Sequence, residues 1–209
     1  MKYINIIVEG NIGSGKTTFI DQFDQFCRKR NLNIDIFPEN MEEWKPIFNQ
    51  FLQDKKRWGF TLQSMIYNSM LNSHRAKANF KIMERSLFSA RYVFVENLYK
   101  QKIICYDEYD VLKRMFRNQI KLIPEINLII YIKKDPIHSY YNVLQRKSGE
   151  EKSYSYEYIS ELHNLYEDWL VENKFFVPAY VFVIDHHSKD YTDDIYCIIN
   201  YLRQHLKCF

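Results

Sequence analysis

The sequence predicts one α/β domain in which a five-stranded parallel sheet is flanked by helices. Short apolar runs alternate with longer segments of helical spacing, and no repeats or low-complexity linkers interrupt them. The apolar runs lack an alternation of apolar and polar residues, which favours strands that are covered on both faces. A glycine-rich loop follows the first run directly and leads into a helical segment. This order of strand, loop and helix also indicates an α/β fold.

The predicted elements follow one another along the whole chain. The apolar runs that predict strands are YINIIV, IDIF, FKIM, INLIIYI and AYVFVI, at 3–8, 34–37, 80–83, 126–132 and 179–184. The segments that predict helices lie between them, at about 16–30, 58–78, 87–101, 106–121, 137–147, 155–173 and 190–206. Because ligands of such sheets bind at the carboxyl ends of the strands, the residues just after each run are the candidates for chemistry.

Composition narrows the range of partners and compartments. A formal net charge of +3 is too small to indicate a nucleic acid or a membrane as partner, so we expect neither. The four cysteines form no C-x-x-C pair and have no histidine at zinc-ligand spacing, which favours reduced thiols. No apolar run approaches the ~18 residues of a membrane span. With neither signal peptide nor presequence in this chain, we expect a cytoplasmic protein, or a mature form whose targeting segment lies elsewhere.

The glycine-rich loop has the spacing of a phosphate-binding loop. Residues 10–17, GNIGSGKT, match the pattern G-x-x-x-x-G-K-[ST]. The glycines allow backbone N–H groups to surround an anion, and the next helix presents its positive end to it. Lys16 can bridge the β- and γ-phosphates of ATP, and the Thr17 hydroxyl can join the shell of Mg²⁺. The predicted nucleotide contacts are Gly10, Asn11, Ile12, Gly13, Ser14, Gly15, Lys16, Thr17 and Thr18.

A phosphate-binding loop alone does not separate kinases from GTPase switches. A GTPase needs D-x-x-G after one strand and N-K-x-D after another, and no glycine here has an aspartate three positions before it. The best approximation to N-K-x-D is IKKD at 132–135, which has isoleucine where guanine recognition needs an amide. These absences favour a kinase.

Two further strand ends carry acids. The second strand runs into Glu39, with Trp44 five residues later, and a carboxylate there can deprotonate an acceptor hydroxyl. A cap or a surface charge is the alternative interpretation of Glu39. The third strand ends in Glu84 and Arg85, a pair that suits magnesium and phosphate or hydroxyl positioning, and a structural ion pair is the alternative there.

These motifs together resemble the deoxyribonucleoside kinase family, most closely the mitochondrial-type thymidine kinases and the broad-specificity deoxynucleoside kinases. The resemblance rests on VEGNIGSGKTTF, the pair Glu39 and Trp44, RWGFTLQS at 57–64, MERSLFSARYVFVENL at 83–98 and SELHNLYEDWL at 160–170. It extends from residue 3 to about 185. It implies a P-loop kinase fold in a single domain, 1–209, with a short lid at about 142–152.

The resemblance implies catalytic roles at matching positions. Glu39 would be the general base for the 5′-hydroxyl, and Arg85 would fix both the 5′-oxygen and Glu39. Glu84 would lie near Mg²⁺, with Thr17 as the second metal ligand. The implied catalytic residues are Lys16, Glu39, Arg85 and Arg146, the last reaching the transferring phosphoryl group from the lid.

A pocket for the base is indicated by helical spacing as well as by the resemblance. Gln63, Ile66 and Met70 share one helical face, and Ala90 and Phe94 share another. An amide, an aromatic plate and apolar walls suit a flat heterocycle, although each apolar residue alone could equally be core. The implied substrate contacts are Glu39, Trp44, Gln63, Ile66, Met70, Arg85, Ala90, Phe94 and Glu151, where Glu151 would approach the 3′-hydroxyl.

The function implied is ATP-dependent 5′-phosphorylation of deoxynucleosides in nucleotide salvage. Pyrimidines, both thymidine and deoxycytidine, are preferred, because Met70 and Ala90 lie where relatives that select deoxycytidine or purines carry an arginine and an aspartate. The resemblance also implies a homodimer built on helices and feedback inhibition by a deoxynucleoside triphosphate. The alternatives are a thymidylate-type nucleotide kinase and a catalytically inactive nucleotide-binding regulator.

The lid segment and position 52 depart from the family pattern. Arg146 and Lys147 are the only cations between 142 and 151, whereas related lids carry several arginines. Leu52 occupies the position where the family usually has a tyrosine that contacts the 3′-hydroxyl. If so, Glu151 is the main partner left for that hydroxyl, and we expect relaxed discrimination against 3′-modified analogues. Tyr67 is the alternative source of the missing contact.

Overall fold

A computed structural model describes residues 3–145 and 154–206 of the chain. Its strands are β1 (Ile4–Glu9), β2 (Asp35–Phe37), β3 (Phe80–Glu84), β4 (Leu128–Lys133) and β5 (Val181–Asp185). They form one sheet in the order β2-β3-β1-β4-β5, and every pair of neighbours is parallel. The predicted α/β class with a five-stranded parallel sheet is confirmed.

Helices connect consecutive strands on both sides of the sheet. They are α1 (Lys16–Arg28), α2 (Lys45–Gln53), α3 (Lys55–Arg75), α4 (Leu87–Ser89), α5 (Glu96–Lys100), α6 (Tyr106–Gln119), α7 (Pro136–Leu144), α8 (Tyr156–Leu170) and α9 (Thr192–Leu206). A 3₁₀ turn, Met41–Glu43, precedes α2, and a π-helical segment, Ala90–Val95, joins α4 to α5. None of the helices in the described ranges is long and apolar enough to cross a membrane.

Two apolar cores lie on opposite faces of the sheet. Adjacent residues of β1 alternate between them, so Ile6 joins the core formed with α1 and α9, and Ile7 joins the core formed with α3, α6 and α8. The inner strands are therefore covered on both faces, as the continuous apolar runs predict. The edge strands differ from that expectation, because β2 and β5 each keep several half-buried or exposed residues.

The stretch between β2 and α3 contains a helix that the sequence analysis did not predict. Helix α2 buries Phe48 and Phe51, while Pro46 occupies its first turn, where a missing backbone N–H costs no helical hydrogen bond. Asp54 then caps α3 by accepting a hydrogen bond from the N–H of Arg57 at 3.0 Å. Because of this cap, α3 begins at residue 55 and not at 58.

The C-terminus of α3 also differs from the prediction, since the helix ends at Arg75 and not at 78. Lys81 of β3 points its fully buried side chain at this helix end and donates to the carbonyls of Ser73, His74 and Ala76 at 3.1, 2.7 and 2.9 Å. The ammonium group satisfies carbonyls that a helix end otherwise leaves without partners.

Candidate active site

The phosphate-binding loop lies between β1 and α1, as predicted, and α7 packs against it. Gly13 has φ +76°, and a Cβ there would lie 2.3 Å from the carbonyl oxygen of Ser139, so no larger residue fits. The side-chain amide of Asn142 donates to the carbonyl of Gly13 at 2.8 Å. On the other side, the amide of Asn11 donates to the carbonyl of Ile159 in α8 at 2.8 Å. The loop is therefore held by the helices around it.

The interior of the loop suits an anion. The Ser14 hydroxyl is buried and has no hydrogen-bond partner in the described part of the chain. Lys16 is 5% exposed, and its ammonium group donates to the carbonyls of Gly10 and Asn11 at 3.1 and 3.0 Å. Burial lowers the pKa of Lys16 to about 8, and the guanidinium of Arg85 acts in the same direction. The carboxylate of Glu84 acts in the opposite direction, and a bound phosphate would add further negative charge beside the ammonium group.

The two predicted metal ligands meet beside the loop. The Thr17 hydroxyl lies 3.3 and 3.4 Å from the carboxylate oxygens of Glu84, and the Lys16 ammonium lies 3.9 Å from the same carboxylate. Hydroxyl and carboxylate oxygens are hard ligands of the kind that Mg²⁺ prefers. Thr17 and Glu84 therefore fit a magnesium ion at the mouth of the phosphate-binding loop.

Arg85 connects the predicted general base to the centre of the protein. Its Nε donates to Glu39 at 2.9 Å, and its Nη1 donates to the Tyr166 hydroxyl at 2.6 Å and to the Gly10 carbonyl at 3.1 Å. The backbone of Arg85 has φ +64°, in the left-handed region that a residue with a Cβ adopts only at a cost. Such strain in a residue that is 5% exposed and held by three side-chain hydrogen bonds is typical of functional sites.

Behind Arg85 lies a buried carboxylate that the sequence analysis missed. Glu9 is fully buried and accepts from the Ser86 hydroxyl at 2.5 Å and from the Tyr166 hydroxyl at 3.3 Å. Burial raises the pKa of Glu9 to about 7, although the hydrogen bond from Ser86 opposes that shift. The position of Glu9 at the end of β1, like Glu39 and Glu84 after their strands, was the signal that could have identified it.

A cavity of about 280 Å³ opens beside these charged groups. Every predicted substrate contact in the described ranges lines it: Glu39, Trp44, Gln63, Ile66, Met70, Arg85, Ala90 and Phe94. Ile12, Lys16, Thr17 and Glu84 line it as well, so the cavity is continuous with the phosphate-binding loop. The lining residues that the sequence analysis missed are Met41, Phe48, Phe51, Leu62, Ser89, Leu98, Tyr154 and Tyr158.

Gln63 provides the most specific feature of the cavity. Its side chain is 4% exposed, and its carbonyl oxygen has no hydrogen-bond partner among the described residues. Aromatic rings line the same cavity, with Trp44 packed edge-on to Phe48 at a centroid distance of 5.6 Å and the Arg85 guanidinium 4.9 Å from the centre of the Phe94 ring. A buried carbonyl oxygen without a partner is unfavourable unless a ligand donates a hydrogen bond to it, so the cavity suits a flat molecule with polar edges.

Several predicted residues lie away from the cavity or outside the described part of the chain. Arg146 and Glu151 fall in 146–153, outside the described residues. Leu52 is half-buried against the core and is absent from the lining, although Phe48 and Phe51 of the same helix belong to it. Tyr67, the alternative partner of the sugar, is fully buried and does not line the cavity either.

Comparisons with known proteins agree with this arrangement. A sequence model of the family described as deoxynucleoside kinase matches residues 6–206. The chain is 35% identical over 195 residues to mitochondrial thymidine kinase 2 of Macaca fascicularis, covering 88% of this chain and 72% of that protein. The human protein of that name is 33% identical over the same shares. Human deoxycytidine kinase is 27% identical over 198 residues, which is 79% of this chain and 75% of that kinase.

Proposed function

The chain belongs to the deoxynucleoside kinase family, and we propose that it transfers the γ-phosphate of ATP to the 5′-hydroxyl of thymidine and deoxycytidine. Membership of the family makes it an ATP-using kinase, and the names of its relatives support these two acceptors. The observation that carries the choice of a nucleoside is the buried carbonyl oxygen of Gln63, which has no partner in the described ranges and lies in the same cavity as Glu39 and the phosphate-binding loop.

The charged end of the cavity supplies the chemistry in this proposal. Glu39 accepts the proton of the 5′-hydroxyl as the oxygen attacks the γ-phosphorus, the bond from that phosphorus to the β–γ bridging oxygen breaks, and ADP leaves. The hydrogen bond from Arg85 holds the carboxylate of Glu39 in position. Tyr166 and Gly10 fix the other end of the guanidinium, so Arg85 orients Glu39 without rotating away. Phosphoryl transfer depends mainly on such positioning and on electrostatic stabilisation.

In this proposal ATP, the phosphate donor, binds at the phosphate-binding loop. Backbone N–H groups of residues 10–18 and the ammonium of Lys16 would surround the phosphates, and Arg146 would add charge from the lid. Thr17 and Glu84 would hold Mg²⁺, which when bound neutralises negative charge on the phosphates.

The preference for pyrimidines rests on what lies around Gln63. Its amide offers one donor and one acceptor, and a flip exchanges them, so it can pair with the N3/O4 edge of thymine or the N3/N4 edge of cytosine. Met70 and Ala90 are uncharged lining residues, and neither selects for or against an exocyclic amino group by charge. Ile66 and Phe94 complete apolar walls that suit either ring.

Feedback inhibition by a deoxynucleoside triphosphate is part of the same proposal. The base cavity and the phosphate-binding loop are continuous, so one molecule can place its base near Gln63 and its phosphates near Lys16. Such an inhibitor competes with both substrates. Steady-state kinetics at varied ATP and at varied thymidine detects this competition.

The single kinase domain, the homodimer and the cytoplasmic location remain predictions. Light scattering of the purified chain tests the dimer.

An assay of ADP release tests the proposed acceptor. We expect turnover with thymidine, deoxycytidine and deoxyuridine, and a lower kcat/KM with deoxyguanosine and deoxyadenosine. Thymidine monophosphate serves as the matched control, because it adds only the phosphate that a thymidylate kinase requires. A kcat/KM for the monophosphate or for deoxyguanosine above that for thymidine would contradict the proposal. Nucleotide binding without ADP release from any acceptor would identify an inactive regulator.

A further inference from the structure

A second group of potential ligands lies outside the nucleoside cavity, where β4 and β5 end. Asp135 and His187 each come two residues after the end of their strand. The two strands are parallel neighbours with Lys133 paired to Asp185, so the same register brings Asp135 beside His187. His138 lies in the first turn of α7, three residues after Asp135, and completes a group of three side chains, all of them exposed.

The three ligand atoms are spaced like the corners of a metal site. The Asp135 carboxylate oxygen Oδ2 lies 3.7 Å from Nδ1 of His138 and 3.5 Å from Nε2 of His187. All three atoms lie within 4.8 Å of one another. Tetrahedral zinc with ligands at its usual bond lengths separates neighbouring ligand atoms by ~3.4 Å. The two distances to Asp135 are close to this value and the third is at most 4.8 Å, so small side-chain rotations bring the three atoms into position around an ion.

The charges of this group also favour a cation. The imidazole rings of His138 and His187 lie 4.2 Å apart at 32° to one another, and both face the single carboxylate of Asp135. Two imidazole nitrogens and a carboxylate oxygen that converge in this way are ligands that zinc takes in proteins. The ammonium of Lys133, at the end of β4, is paired with Glu167 at 2.8 Å and with Asp185 at 3.8 Å, and these carboxylates offset its charge.

We propose that Asp135, His138 and His187 form a binding site for Zn²⁺. Two imidazoles and a carboxylate suit zinc better than magnesium or calcium, which prefer oxygen ligands throughout. Because the three side chains are exposed, water completes the coordination of the ion. The site links the start of α7 to the segment after β5. Since α7 carries Ser139 and Asn142 against Gly13, zinc stabilises the side of the protein that holds the phosphate-binding loop.

Zinc binding is tested on the tag-free full chain without any nucleotide, so that the result is independent of the proposed kinase substrate. Isothermal titration with ZnSO₄ should give one site per chain. Removing a metal's supporting residues costs 10–100-fold in affinity, so removal of a ligand should weaken binding by at least about 100-fold. Asp135→Asn, His138→Ala and His187→Ala are the test variants. His205→Ala, which removes an exposed histidine stacked on Tyr201 in α9, is the matched control and should bind as wild type does.

Two further measurements separate this site from the cysteines and from non-specific binding. Zinc should raise the Tm of wild type and of His205→Ala, and should not raise that of His187→Ala. Co²⁺ should give the weak visible bands of nitrogen and oxygen ligands without thiolate charge-transfer absorption. Equal zinc affinity in wild type and in all three test variants would overturn the proposal, and so would a thiolate band.

Discussion

At the scale of single residues, the proposed recognition of the base depends on the amide of Gln63, which is buried and whose carbonyl oxygen has no partner among residues 3–145 and 154–206. We predict that Gln63→Leu lowers kcat/KM for thymidine and for deoxycytidine by about 5- to 150-fold. The physical reason is that the polar edge of the base is then buried against a methyl group, at a cost of about 1–3 kcal/mol. Gln50→Leu, an exposed change on α2, is the control and should leave both values unchanged. Equal kcat/KM values in wild type and Gln63→Leu would mean that the base binds elsewhere.

The lowered pKa of Lys16 predicts how ATP binding depends on pH. In the nucleotide-free protein burial holds this pKa at about 8, and bound phosphates raise it because they favour the charged ammonium. Between these two pKa values ATP binding takes up a proton, so affinity is constant below pH ~8 and falls above it. We expect the Kd for ATP to rise by up to about tenfold for each pH unit above 8.

Isothermal titration at about pH 7 and about pH 9 measures this change. Arginine remains charged over the whole range, so Lys16→Arg should lose the dependence on pH even if it binds ATP more weakly. A wild-type Kd that is the same at both pH values would show that Lys16 takes up no proton when ATP binds, which contradicts a pKa near 8 in the nucleotide-free protein.

The side chain at position 52 should affect how strongly the enzyme discriminates against nucleosides that lack the 3′-hydroxyl. Leu52 lies one helical turn after Phe48, on a helix that lines the cavity, but its side chain stops short of the lining. Leu52→Tyr adds a ring and a hydroxyl at this position and should restore a contact with the 3′-hydroxyl. The ratio of kcat/KM for thymidine to that for 3′-deoxythymidine should then rise by about 2- to 12-fold, the equivalent of one hydrogen bond. Leu52→Phe adds the ring without the hydroxyl and should not change the ratio. The same ratio in all three proteins would mean that residue 52 does not face the sugar.

At the scale of elements, Lys81 links β3 to the end of α3, the helix that carries Gln63, Ile66 and Met70. We predict that Lys81→Met lowers the free energy of unfolding by about 2–4 kcal/mol, because three carbonyl groups lose a charged donor while the apolar volume is kept. Denaturant unfolding measures this change. The exposed Lys77→Met is the control and should stay within about 0.5 kcal/mol of wild type. A Lys81→Met variant as stable as the control would mean that water replaces the ammonium group.

The elements also divide into those that the sequence predicts and those that it does not. Long periodic segments such as α3 and the apolar strands were predicted because burial imposes a regular pattern on them. Helix α2 was missed because it is short and contains Pro46, although Phe48 and Phe51 are spaced as one helical face. The π-helical segment Ala90–Val95 has no sequence pattern of its own. It forms where the chain lines the cavity, which is a common position for such segments.

At the scale of the whole molecule, parallel strands explain why distant residues of the site come together. Glu84 ends β3, Glu39 follows β2, and Lys16 comes after β1 and the loop, and the carboxyl ends of parallel strands share one edge of the sheet. The sequence could therefore predict these positions. It could not predict that Glu9 and Tyr166 support Arg85, because those contacts join residues up to 157 positions apart and depend on how α8 packs on the sheet.

The central claim is that Glu39 removes a proton from a nucleoside hydroxyl in the cavity, and kcat for thymidine with wild type and Glu39→Gln tests it most directly. Glutamine keeps the shape of the side chain and can still contact Arg85, so the fold and thymidine binding should remain. Loss of a general base should lower kcat by about 10²–10⁴. Thymidine Kd from isothermal titration of both proteins confirms that the pocket is intact. A kcat for Glu39→Gln within a few-fold of wild type, with the same thymidine Kd, would contradict the account.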